Sequence, residues 1–313
     1  MSDTFILPEY LRKDVMGDMH MRIVNFGSLN LDYVYAVDHI VAPGETISSN
    51  RVDVFCGGKG LNQSVALARA GADVFHAGMV GPDGDPLIAL CKECGINSDN
   101  IRRVEERSGN AIIQVAADGQ NSIVLFGGAN RKNTIQHIED VLSNFSEGDM
   151  VLLQNEINLI DCIIEIASAK GMIIALNPSP FDAMIKHSDL GKVSYFLVNE
   201  VEGGQITGKD DPGDILDCML VMFPKAAIVL TLGSDGAMYR DNNSVFTEPA
   251  TSVSVVDTTA AGDTFAGYFL ADLLAGQSPD MALATASHAA GLAVSCAGAT
   301  ASIPQRKEVD QVS

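Results

Sequence analysis

The chain has 313 residues, a formal net charge of −20, and 47% hydrophobic against 19% charged residues. That balance belongs to a folded globular protein, long enough for one large core with a small appendage. The acid excess argues against nucleic acid and anionic membranes as partners, since both are met with surplus Lys and Arg.

Taken in chain order, residues 1–20 carry Asp, Glu, Lys and Arg without an apolar run. They read as a poorly ordered extension and not as a secretory signal. From there, apolar runs of strand length at 22–28, 73–79, 150–154, 172–177, 195–199 and 227–231 alternate with helix-period segments such as 62–70, 86–94 and 160–170. Such alternation predicts an α/β fold in three layers, a mostly parallel central sheet covered by helices on both faces. Ligands in such folds bind beyond the carboxyl ends of the strands.

Two stretches interrupt the pattern. One, at 33–55, alternates around Pro43 and Gly44; the other, at 110–127, is a strand, an Asp118–Gly119 turn and a second strand. They predict a small β-sheet lying over the site as a lid, within one domain spanning 21–313. Residues 281–303 lack formal charge, but they are Ala/Gly/Ser-rich and contain His288, which argues against a membrane span. Six cysteines follow no regular spacing. Cys91 and Cys94 sit at the closing end of a predicted helix, away from the dipole end that activates a thiol, so they read as packing residues. Free thiols suit the cytoplasm.

The stretch DTTAAGD at 257–263 leads small residues directly into a helical pattern that continues through Phe265, Phe269 and Leu273. Free N–H groups there, at Ala261, Gly262 and Asp263, would carry the positive end of the helix dipole and form an anion hole around 260–262 that includes Ala260. Asp263 would place a carboxylate in that first turn; a carboxylate that only caps its helix gives the same pattern. A second stretch, CGGKGLN at 56–62, brings paired glycines and Lys59 to a helix start, with Asn62 able both to donate and to accept. It is not a Walker loop, and no GxGxxG follows the first strand, which excludes a Rossmann-type dehydrogenase. Asn30 and Asp32, two residues apart, point to one side. Asn199 and Glu202 follow one strand, and Thr231 and Gly233 follow another.

Together these stretches resemble the ribokinase family, within the phosphofructokinase-B group of carbohydrate kinases. GGKGLNQ at 57–63 is similar to the family's first signature, DTTAAGD at 257–263 to its second, and NEVE at 199–202 to its magnesium-associated NxxE motif. The resemblance implies a ribokinase-like fold and an ATP-dependent sugar kinase that phosphorylates a primary hydroxyl, that of D-ribose in particular. It implies Asp263 as the base, with Asn30, Asp32, Gly58, Lys59, Asn62 and Glu156 on sugar hydroxyls. It further implies Asn199, Thr231, Gly233, Gly262 and Ser287 along the ATP, and Asn199 and Glu202 organising Mg²⁺ through water. Asp257, Thr259, Ala293, Cys296, Gly298 and Ser302 would hold K⁺. A homodimer joined through the lid is expected. Ser287 departs from the Asn common beside the adenine, and Gly203 and Gly204 soften a helix start. Two other readings stand: a kinase of the same group acting on another sugar or a nucleoside, or a sugar-binding regulator without turnover.

Overall fold

The computed structural model describes residues 21–182, 185 and 188–311, so the expectation for 1–20 lies outside the described residues. The chain opens with β1 (Ile23–Phe26), β2 (Asn30–Val37) and β3 (Arg51–Gly57), followed by α1 (Lys59–Arg69), β4 (Val74–Val80) and α2 (Asp85–Glu93). Next come β5 (Asn97–Arg103), β6 (Gly109–Ala116), β7 (Asn121–Phe126), α3 (Ile135–Leu142), β8 (Met150–Gln154), α4 (Ile160–Ala169) and β9 (Ile173–Asn177). The chain continues with β10 (Tyr195–Asn199), α5 (Glu200–Thr207), α6 (Pro212–Met222), β11 (Ala227–Thr231), β12 (Ala237–Arg240) and β13 (Val245–Glu248). It closes with α7 (Ala261–Leu274), α8 (Pro279–Val294) and the short α9 (Arg306–Val309).

Among the described residues, nine strands form one sheet in the order β13-β12-β11-β10-β9-β8-β1-β4-β5. Pairing is parallel from β5 to β11; β12 and β13 add an antiparallel edge. The central strands are largely apolar because both faces are buried, with Asn25, His76 and Gln154 as buried polar exceptions. Along β8 the side chains alternate between two cores: Met150 and Leu152 meet those of α1, α7 and α8, while Val151 and Leu153 meet those of α3, α4 and α6. This is the expected three-layer fold. No described helix is long and apolar enough to cross a membrane.

The interrupting stretches pair with each other as a second sheet, β3-β2-β6-β7, in which β2 and β6 run parallel and the outer pairs antiparallel. Asn30 and Asp32 are the first and third residues of β2, so the strand's two-residue period turns both to one face.

Two close approaches fix the base of the site. Gly267, in the second turn of α7, lies so near α1 that a Cβ there would stand 2.3 Å from Ala66 Cβ and 2.8 Å from the Leu67 nitrogen. Helix propensity alone says Gly267→Ala stabilises by about 1 kcal/mol. The clash involves backbone, which cannot rotate away, and overpacking of this kind costs about 1–3 kcal/mol. Gly267→Ala is therefore expected to lower the urea midpoint; a raised midpoint would show that the helices do not cross this closely. At the other approach, a Cβ on Gly60 would come within 2.3 Å of the Ser28 nitrogen, so α1 begins pressed against the end of β1.

Candidate active site

The site forms where the parallel strands end and α1 and α7 begin. Ala260 caps α7 with a left-handed backbone, φ 61°, which turns the loop sharply into the helix. Thr264 N closes the first turn on Ala260 O at 2.8 Å, and Ala261 N donates to Thr258 O at 3.3 Å. That bond engages one of the three amides expected to point outward, and leaves those of Gly262 and Asp263 as the forward-facing pair. Asp263 is buried at 6% exposure. Its two carboxylate oxygens are held separately: Asn62 Nδ2 donates to Oδ2 and Gln63 Nε2 to Oδ1, each at 2.9 Å.

Glu156, just past β8, is tied to the loop before α1. Its Oε2 accepts from the Ser28 hydroxyl and, at 3.1 Å, from Lys59 N. Asn30 and Glu156 share a cavity of about 370 Å³ with Phe126, Asn130 and Asn155. No local sequence pattern marks Asn130. It is buried, donates to Asn30 Oδ1 at 2.7 Å and accepts from Leu29 N at 3.0 Å, so it orients Asn30. Gly58, with φ 95°, opens α1 beside Asn30; its position as a left-handed residue explains the glycine. Asp32 packs over Gly57, and burial, then the neighbouring Glu156 carboxylate, push its pKa up to about 7.

A second, narrower cavity of about 70 Å³ is lined by Lys59, Asn177, Asn199, Glu202, Thr231 and Gly262. Lys59, a candidate for the sugar, donates its backbone N–H to Glu156 and is also among the residues lining this second cavity. Burial alone would pull the Lys59 ammonium down; the carboxylates of Asp263, Glu156 and Glu202 outweigh it and hold it above its ordinary value. Lys59 thus joins the two cavities electrostatically. Asn199 and Glu202 form a reciprocal capping box: Glu202 N donates to Asn199 Oδ1 at 2.9 Å and Asn199 N to Glu202 Oε2 at 3.0 Å. Of the two glycines that follow, Gly203 has a packing role. A Cβ on Gly203 would meet Ile215 Cγ2 at 2.7 Å, so the glycine lets α5 pack on α6.

Gly233 opens the turn after β11 and Ser287 is buried in α8; neither is among the residues lining these two cavities. Farther along, Asp257 joins the loops at 257–259 and 298–302. Its Oδ1 accepts from Thr259 N at 2.9 Å and Thr259 Oγ1 at 2.6 Å, and its Oδ2 from Gly298 N at 2.9 Å. Burial works against ionising Asp257, but those hydrogen bonds prevail and hold its pKa below the ordinary value. Ser302 is buried, Ala293 O accepts from Cys296 N, and the Cys296 side chain is exposed. Cys91 is buried, its thiol pushed up to about 12 chiefly by burial, as an inert packing residue requires. Among the described residues, no three His, Cys, Asp or Glu side chains cluster as metal ligands.

Against known proteins, the pfkB family carbohydrate kinase profile matches residues 21–306. A ribokinase of Haemophilus influenzae is 33% identical over 299 residues, covering 93% of this chain and 97% of that protein. The crystal structure of a ribokinase from Cryptococcus neoformans in complex with ADP superposes with a TM-score of 0.83 at 32% identity, covering 95% of this chain and 100% of that one. An Arabidopsis thaliana ribokinase complexed with ribose and ATP gives a TM-score of 0.83 at 28% identity, covering 94% and 99%. This chain belongs to the pfkB family of carbohydrate kinases and is an ATP-dependent sugar kinase.

Proposed function

We propose that this kinase transfers the γ-phosphoryl group of ATP to the primary hydroxyl of D-ribose, giving ribose 5-phosphate and ADP. One observation carries the reading: a buried carboxylate, Asp263, sits in the first turn of α7 with each oxygen held by an amide, beside Gly262 of the small polar cavity. In this reading Asn30, Asp32, Gly58 and Glu156 hold the ribose hydroxyls. Asn62 joins them through Oδ1, a buried acceptor with no partner among the described residues. Asp263 accepts the proton of the 5-hydroxyl as that oxygen bonds to the γ-phosphorus and the bond to the bridging oxygen breaks, releasing ADP. The N–H groups at the start of α7 and the Lys59 ammonium stabilise the charge that moves onto the phosphoryl and leaving oxygens. Asn199, Thr231, Gly233 and Ser287 line the nucleotide.

The oxygen donors at Asn199 and Glu202 fit a hydrated Mg²⁺ bound chiefly by the phosphates, since one Glu202 oxygen is already engaged in the capping box. Magnesium there supplies charge neutralisation. The ionised Asp257 with Thr259, the Ser302 hydroxyl and the carbonyls of Ala293, Cys296 and Gly298 fit a hard monovalent cation such as K⁺. The small sheet acts as a lid that excludes water. Val54, Val124 and Phe126 are exposed on it, and a second copy covering them gives a homodimer. Light scattering at micromolar concentration is expected to return the dimer mass; a monomer would refute the interface. Its six cysteines are free, which suits the reducing cytoplasm.

Asp32 gives a pH signature. Raised to about 7, it is half protonated at neutral pH. If the ionised form is the one that accepts ribose hydroxyls, KM for ribose is expected to fall by about tenfold between pH 6 and pH 8, and Asp32→Asn to flatten that change. The opposite slope would mean that the protonated carboxyl binds the sugar. For identity of the acceptor, ADP formation is measured over pentoses, hexoses and nucleosides with ATP, Mg²⁺ and K⁺. Ribose is expected to give the highest kcat/KM; a nucleoside in first place would overturn the assignment.

A further inference from the structure

Gln63 is the last residue of the GGKGLNQ stretch, and neither the sugar nor the nucleotide reading uses it. It is fully buried, as are Gln154, Asn25, Ser64 and His76. These residues form one hydrogen-bonded line beneath the site, running from Asp263 into the central strands. Gln63 Nε2 donates to Asp263 Oδ1 at 2.9 Å, and Gln154 Nε2 donates to Gln63 Oε1 at 2.7 Å. The same Gln154 nitrogen donates to Asn25 Oδ1 at 3.0 Å. Asn25 Nδ2 then donates to Gly60 O at 2.7 Å and to Ser64 Oγ at 2.9 Å. Ser64 Oγ meets His76 Nδ1 at 2.8 Å, and His76 Nε2 faces Gly27 O at 3.3 Å.

Donor logic fixes the direction of every link. A carboxylate only accepts, so Gln63 must turn its NH₂ to Asp263 and its carbonyl to Gln154. Asn25 must give its NH₂ to the Gly60 carbonyl, so its own carbonyl also faces Gln154. Gln154 therefore has to donate in both directions. The consequence is visible: Gln154 Oε1 is buried with no partner among the described residues. Buried acceptors rarely go unmatched. Flipping this amide would set its oxygen against two others, so the unpaired carbonyl is what remains when Gln63 is locked. At the far end, Ser64 donates to Nδ1, and His76 keeps its proton on Nε2 facing Gly27 O; burial lowers its pKa to about 4, so it stays neutral.

We propose that Gln63, locked by Gln154 and Asn25 on the two central strands β8 and β1, is a positioning residue that fixes the rotamer of Asp263 for proton transfer. Its partners sit on the large sheet, so the base is anchored to the part of the molecule that a closing lid does not move. This rests on the reading of Asp263 as the base. The charged group facing Asp263 is Lys59 from α1, whose field is shared with Glu156 beyond β8 and Glu202 on α5.

The test is kcat against pH at saturating substrates, with ribose KM and ADP affinity, for Gln63→Leu, Gln63→Glu and Gln154→Met. Gln63→Leu frees one carboxylate oxygen, and kcat is expected to fall by about tenfold to a hundredfold, as small misplacements of a reacting group do, with KM and ADP affinity nearly unchanged. Gln63→Glu keeps the size but sets two carboxyls to share a proton, so the acidic limb of the profile moves to higher pH. A role confined to stability would lower the melting temperature and leave kcat near wild type in Gln63→Leu and Gln154→Met assayed while folded. Gln154→Met, remote from substrate, lets the Gln63 amide rotate and is expected to reduce kcat less than Gln63→Leu. Should the Leu variant not fold, Gln154→Met decides, because it loosens the Gln63 amide without adding a charge beside Asp263. Wild-type kcat in folded Gln63→Leu and Gln154→Met overturns the proposal. Asp263→Asn, run alongside, separates the two claims: if it keeps turnover the base reading fails, and if it loses turnover while the Gln63 variants do not, only the positioning fails.

Discussion

Asp263→Asn is expected to lower kcat by about 10²–10⁴, the range that a positioned general base contributes, while ribose still binds. The side chain keeps its size and burial, so the cavity survives. An amide nitrogen must now face either Asn62 Nδ2 or Gln63 Nε2, donor against donor, because both present N–H groups to the native carboxylate. A modest loss of stability therefore accompanies the loss of turnover, and the two are separated by measuring kcat well below the melting temperature. Turnover near the wild-type rate in the folded variant would refute the assignment of the base.

The second large effect is expected from the monovalent cation. Asp257 and Gly298 are already joined by a 2.9 Å bond, and the loop that leaves Asp257 reaches Ala260 and the start of α7 within three residues. A cation held by Asp257, Thr259 and the 298–302 loop would act by fixing the loop that aims the amides. Losing one aligned donor in comparable anion holes costs about 10²–10³ in kcat. Activity in K⁺ is expected to exceed that in Li⁺ or tetramethylammonium at equal ionic strength and fixed Mg²⁺, and Asp257→Ala to abolish the difference. Equal rates in the three salts would show that the loop orders itself without an ion.

Much of this architecture was legible from residue patterns, for physical reasons that also explain the gaps. Strands β8, β10 and β11 match the apolar runs residue for residue, because a strand covered on both faces is apolar along most of its length, each ending in one polar residue, Gln154, Asn199 or Thr231. The strands toward the two ends of the sheet carry weaker patterns: β5 reads NSDNIRR and buries only Ile101, and β12 and β13 are four residues each. Asp263 is a candidate base from sequence because its device is local, a carboxylate within a few residues of a glycine and a helix start. Its hydrogen-bond partners carry no such local signal. Gln63 is 200 residues from Asp263 and 91 from Gln154, and Gln154 is 129 from Asn25, so only the folded sheet brings them together. Asn130, 100 residues from Asn30, was missed for the same reason.

The central claim is that Asp263 directs the γ-phosphoryl group of ATP onto the primary hydroxyl of ribose. Phosphorus NMR of a reaction containing ATP, Mg²⁺, K⁺ and ribose tests it most directly. A phosphomonoester signal split by the two hydrogens on C5 is the predicted result, with no such signal from Asp263→Asn over the same time. Inorganic phosphate alone, or an ester signal coupled to a single ring hydrogen, would contradict it.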